Sequence, residues 1–216
     1  MKFNDKKITS ILFFLLVVLH VCLDSILQDR SHLVVTKLLP NLILLAYTIQ
    51  NRELIKFEKK FIYFILSLSL ILFGDVCLLF PKYLSLGLLV YIVAQFIYSY
   101  IFFNKRNHSY VRLAIFLVYG ILTGVLFLPK VNSNVLIPVI IYIVALMTMG
   151  YSVYSNTEKH FFLLKIGAIL FIFSDTLLGY IRLNQIIYPI WNPIILLTYY
   201  SAQFGLILGS LNDEKR

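Results

Sequence analysis

Two aspartates carry the chemistry that this sequence could do. Asp75 lies in Leu72-Phe-Gly-Asp-Val-Cys-Leu-Leu-Phe80 and Asp175 in Phe171-Ile-Phe-Ser-Asp-Thr-Leu-Leu-Gly179. Each sits in an apolar run long enough to cross a membrane. A charge at bilayer depth costs about 2.5–3.5 kcal/mol on insertion scales, so an acid kept there points to a function. Both acids follow a small residue and precede a double leucine, and they read as halves of one site.

The elements that hold them follow from composition. The chain has 216 residues, 60% hydrophobic and 13% charged, with mean hydropathy +0.88. That excludes a soluble domain and predicts an all-α polytopic membrane protein. Eight spans are expected, at 8–26, 33–50, 60–80, 83–103, 111–128, 134–153, 161–181 and 189–211. They form a single membrane domain over 1–216, with two parallel four-helix halves, 1–104 and 110–212. The halves echo each other: Ser67, Gly74 and Asp75 match Gly167, Ser174 and Asp175, and Ala94-Gln95-Phe96 matches Ala202-Gln203-Phe204. Small residues seven apart mark a helix–helix contact face. Pro189, Trp191 and Pro193 read as interfacial anchoring and the start of the last helix.

The net charge of +9 is a matter of topology rather than of nucleic-acid binding. Of the 19 lysines and arginines, thirteen fall on the side of the termini, four (Arg30, Lys82, Lys130, Arg182) on the other, and Lys37 and Lys165 within spans. The positive-inside rule then puts both termini in the cytoplasm, and the expected location is a bacterial cytoplasmic membrane. Cys22 and Cys77 form no metal knuckle, and no glycine-rich phosphate loop or Ser-His-Asp pattern is present. No metal and no cofactor is expected.

Depth gathers the polar residues. Asp24, Asp75 and Asp175 lie about 15 residues along outward-running helices, roughly 22 Å from the cytoplasmic edge. Lys37, a few residues into an inward-running helix, reaches the same outer layer. Arg182 stands two turns beyond Asp175, and Gln95, Tyr199, Tyr200 and Gln203 fall nearer the midplane. A polar cavity opening toward the outer leaflet would accommodate this set. Blander readings exist for several of them. Asp24 and Lys37 could neutralise each other, His20 could be a satisfied core histidine, and the glutamines could join helices.

Phe73-Gly74-Asp75-x-x-Leu78-Leu79, Phe173-Ser174-Asp175-x-x-Leu178 and Leu197-Thr198-Tyr199-Tyr200-x-Ala202-Gln203 resemble the lysoplasmalogenase-like membrane proteins of the YhhN type. The resemblance extends over nearly the whole chain. It departs where the family usually has a Lys-Pro pair (here Lys37 and Pro40 are separated) and often a histidine (here Gln95). It implies hydrolysis of the vinyl ether of a lysoplasmalogen, a lysophospholipid, to a fatty aldehyde and a glycerophospho-alcohol. Asp75 and Asp175 would be the catalytic pair, since two close buried carboxyls tend to share one proton. Lys37 or Arg182 would take the phosphate, with Asp24, Gln95, Tyr199, Tyr200 and Gln203 completing the substrate site. Charges near mid-membrane between parallel halves also fit a proton-coupled small-molecule or lipid transporter.

Overall fold

The computed structural model describes residues 6–27, 33–157, 161–186 and 190–211. Lys2, Arg30, Lys159, Lys215 and Arg216, used above for orientation, lie outside the described residues, as does Pro189. Among the described residues the chain forms eight α-helices and no strand beyond one isolated bridge, Ile55 to Leu211. They are α1 (Lys6–Ile26), α2 (Leu33–Gln50), α3 (Phe61–Leu79), α4 (Leu84–Phe102), α5 (Tyr110–Phe127), α6 (Ser133–Tyr154), α7 (Phe162–Leu183) and α8 (Trp191–Leu208). Seven of them, α1 to α7, are long and apolar enough to cross a membrane. Asn192, Tyr199, Tyr200 and Gln203 make α8 more polar, and it packs along α7. α2 runs through Pro40 without interruption.

Small residues set the helix spacing. A Cβ built on Gly167 of α7 would lie 2.5 Å from the Leu206 nitrogen, and one on Gly205 of α8 would lie 2.8 Å from the Gly167 Cα. These two helices therefore touch backbone to backbone. Gly74 does a different job. Its missing Cβ would stand 2.5 Å from the Tyr91 ring, so the glycine lets that ring cross α3 beside Asp75.

At the end of the bundle where α4, α6 and α8 finish, basic side chains close the helices. Lys60 donates to the carbonyls of Tyr100 and Ile101 at 2.5 and 3.0 Å, Lys56 to that of Gly209 at 3.1 Å, and Arg112 to that of Tyr154. Unpaired C-terminal carbonyls carry partial negative charge, which a cation offsets. Several charges read as topology signals thus also cap helices. Just inside this end, Phe57, Phe64, Phe102 and Phe161 pack into a cluster of edge and tilted ring contacts. The outward surface is apolar, most extensively on α5, where Val111, Ile115, Val118 and Ile121 are exposed. That is the face expected of a helix against lipid.

Candidate active site

Asp75 is buried, and four side chains converge on it. The Tyr91 hydroxyl donates to Oδ1 at 2.8 Å, the Tyr199 hydroxyl to Oδ2 at 2.6 Å, and the Asn41 amide to Oδ2 at 3.2 Å. Lys37 Nζ stands 3.7 Å from Oδ1. These partners come from α2, α4 and α8, so the acid on α3 ties four helices together. Spacing explains why they meet. Lys37 and Asn41 are four apart on α2 and share one face, and the gap left by Gly74 admits Tyr91. The Asn41 amide also reaches the Tyr199 hydroxyl at 3.1 Å. The hydroxyl oxygens of Tyr91 and Tyr199 are 3.3 Å apart, so α4 and α8 approach each other over this carboxylate.

Asp175 is held more sparsely. The Tyr142 hydroxyl of α6 donates to its Oδ2, its one hydrogen-bond partner among the described residues. The preceding Ser174 turns away and donates to the Ile195 carbonyl at 3.0 Å, joining α7 to α8.

Both acids line one cavity of about 490 Å³, walled mostly by apolar side chains. It lies toward the end of the bundle where α3, α5 and α7 finish and α4, α6 and α8 begin. Leu78, Leu84, Leu88, Val135, Val139 and Leu178 form part of its wall. Lys37, Asp24, Arg182 and Tyr199 of the residues expected from sequence also line it. Asp24 accepts a hydrogen bond from the Asn192 amide. Lys130, absent from the expected set, lines the cavity too and donates to Asn184.

Three expected residues lie elsewhere. Tyr200 follows Tyr199, and successive helical residues point about 100° apart. It faces α2, where its hydroxyl donates to the Lys37 carbonyl at 2.8 Å, next to the gap that Pro40 leaves in the helix bonding. Gln95 and Gln203 are fully buried and do not line the cavity. His20 is buried at the cavity wall, with Nδ1 3.0 Å from the Thr36 hydroxyl and its ring edge-on to Tyr200.

Asn41, Tyr91 and Tyr142 are the site residues that sequence reasoning missed. A signal existed for two of them. Asn41 is an amide in an apolar span, one turn from Lys37. Tyr91 opens Tyr91-Ile-Val-Ala-Gln-Phe96, the counterpart of Tyr199-Tyr-Ser-Ala-Gln-Phe204. Among the described residues no group of three or more His, Cys, Asp or Glu side chains could hold a metal ion.

The arrangement can handle protons beside an apolar chain. One carboxyl is supplied with donors and a cation, the other, among the described residues, with a single hydroxyl, and a mostly apolar cavity of about 490 Å³ borders both. Compared with known proteins, residues 33–210 match the family model described as the YhhN family. No curated protein and no solved structure matches the chain.

Proposed function

The chain belongs to the YhhN family, and from that membership and the two carboxyls of its apolar cavity we propose that it hydrolyses the vinyl ether bond of lysoplasmalogens. The observation that carries the reading is the unequal surroundings of Asp75 and Asp175 on one cavity. A vinyl ether is cleaved by protonating its β carbon, which leaves an oxocarbenium-like cation that water captures. The reaction needs one carboxyl that gives a proton and one that stays anionic.

The unequal surroundings support a division of these roles. Three donors and the Lys37 ammonium suit a carboxylate at Asp75. Asp175, with Tyr142 alone, is the proton donor. In the first step the Asp175 proton goes to the β carbon, and the C=C electron pair forms the new C–H bond. The Asp75 carboxylate stabilises the cation, then takes a proton from the water that adds to the α carbon. A hemiacetal results. It collapses as the Asp75 proton passes to the departing glycerol oxygen and the Asp175 carboxylate takes the hemiacetal hydroxyl proton. Aldehyde and alcohol leave, and both acids return to their starting states.

The alkenyl chain would occupy the leucine- and valine-lined part of the cavity, with the phosphate near Lys37, Lys130 and Arg182. Both termini would be cytoplasmic, with the cavity toward the opposite leaflet. Purified protein in nanodiscs, given a lysoplasmalogen and assayed for aldehyde, tests the activity. Release that is lost in both Asp75→Asn and Asp175→Asn supports the reading, and no release from well-folded wild-type protein overturns it.

A further inference from the structure

One turn inward from the Asp75 cluster lie buried polar groups with no hydrogen-bond partner among the described residues. Tyr91 and Gln95 are four apart on α4, and Tyr199 and Gln203 are four apart on α8, so each glutamine shares a face with a tyrosine bonded to Asp75. The level is about 6 Å deeper toward the inner end. Both glutamines are 0% exposed, and the Nε2 and Oε1 atoms of each have no hydrogen-bond partner among the described residues.

On α2, α3 and α7 the residues one turn inward from the site are apolar. Ile71 lies one turn below Asp75, Phe171 one turn below Asp175 and Leu44 just below Asn41, and all three are buried and apolar. Below Gln95 on the same face is Tyr98, also 0% exposed, whose hydroxyl is likewise unpaired. Helical side chains lean toward the helix N-terminus. For α4 that is the outer end, so the Tyr98 hydroxyl leans toward Gln95, and Gln95 leans toward Tyr91. Below Tyr98 the path stops. Its ring stacks on Phe102 with centroids 5.4 Å apart and lies 6.1 Å from Phe64, within the aromatic cluster that closes the inner end.

Unpaired amides in an apolar interior are costly unless water reaches them. We propose that Gln95, Gln203 and Tyr98 hold a blind column of ordered water beneath Asp75, and that this column supplies the water that attacks the substrate cation. The second clause rests on the hydrolase reading. Lipid enters from the outer cavity, whose apolar walls favour the alkenyl chain over water. Water therefore waits on the far side of the acid that must deprotonate it. The closed inner end makes the column a store and not a conduit across the membrane.

X-ray hydroxyl-radical footprinting of the protein in nanodiscs tests the column without reference to activity, because radicals formed from bound water label buried neighbours. Tyr98 is expected to be oxidised at a rate approaching that of Tyr110, which is 81% exposed, while the equally buried Tyr47 stays silent. Gln95→Met and Gln203→Met keep the volume and remove the polar atoms, and each should abolish Tyr98 labelling. With lysoplasmalogen, each should lower kcat roughly 10- to 100-fold at unchanged KM. Tyr98 as silent as Tyr47 in the wild type, or labelling unchanged in both variants, overturns the column. Labelling lost at unchanged kcat overturns its role as the water source. If the wild type hydrolyses nothing, the hydrolase reading fails and the labelling still decides the column. Should Gln95→Met fail to insert, Gln203→Met carries the same expectations.

Discussion

Replacing Asp175 by asparagine separates chemistry from structure at this site. In the wild type, Asp175 accepts one hydrogen bond among the described residues, from Tyr142, and borders the cavity. Asparagine offers the same acceptor oxygen at nearly the same volume, so the fold loses at most about 1 kcal/mol for a weakened hydrogen bond. For a chain of this size that is a melting shift of about 2–4 °C. The proton, however, is gone. A positioned general acid contributes typically ~10²–10⁴-fold, which is about 2.7–5.4 kcal/mol on the barrier. The expected result is kcat lower by about two to four orders of magnitude at nearly unchanged KM, read as aldehyde released from lysoplasmalogen in nanodiscs. Formate supplied to Asp175→Ala should restore part of the rate, because a small acid fits the space vacated and brings the missing proton. A folded Asp175→Asn protein within about tenfold of wild type would refute the assignment of Asp175 as the acid.

The ion pair behaves differently. Asp75→Asn and Lys37→Met each remove one side of an ion pair at 3.7 Å, and breaking such a pair costs about 3–5 kcal/mol when both groups are buried. Lys37 keeps 12% exposure, so a coupling nearer about 1–3 kcal/mol is expected. The double variant should be more stable than the two single losses add up to, and strict additivity in melting experiments would remove the pair from the account. On α7 and α8, Gly205→Leu should abolish folded yield, because a Cβ there meets the Gly167 backbone at 2.8–3.0 Å. Gly124→Ala, whose nearest neighbour is 3.8 Å away, should be tolerated, and equal yields would show that the close approach is not required. For topology, a reporter active only in the cytoplasm and fused to the C-terminus should be active, and a stably expressed but silent fusion would reverse the orientation.

The helices were legible because a bilayer fixes the length and polarity of what crosses it. The expected spans and the observed helices differ by a few residues at most, chiefly at short 3₁₀ turns such as Pro81–Tyr83. A charge in such a span is conspicuous for the same reason, and depth alone brought Asp75, Asp175, Lys37 and Asp24 to one level, with Arg182 two turns beyond. The structure places all five on one cavity. Tyrosine gives no comparable signal. There are 15 in the chain, and apart from the motif that holds Tyr199 and its counterpart at Tyr91, only contact across helices distinguishes Tyr142 from the rest.

The repeated Tyr-x-x-Ala-Gln-Phe would have led from Tyr199 to Tyr91, yet it would also have misled. Two parallel halves imply that α4's tyrosine serves Asp75 and α8's serves Asp175. Instead Tyr91 and Tyr199 both donate to Asp75, and Asp175 relies on Tyr142 from α6. Gly167 and Gly205 account for part of this. They draw α8 flat against α7, where Ser174 and the Ile195 carbonyl meet, and Tyr199 is left facing across to α3. Gly74, the residue matched to Ser174, makes room for an aromatic ring instead of a second backbone contact. The difference between Gly74 and Ser174 before the acid thus contributes to the unequal surroundings of the two carboxyls. Two equivalent acids would share one proton evenly, whereas unequal surroundings, four partners at Asp75 against Tyr142 at Asp175 among the described residues, bias which acid keeps it.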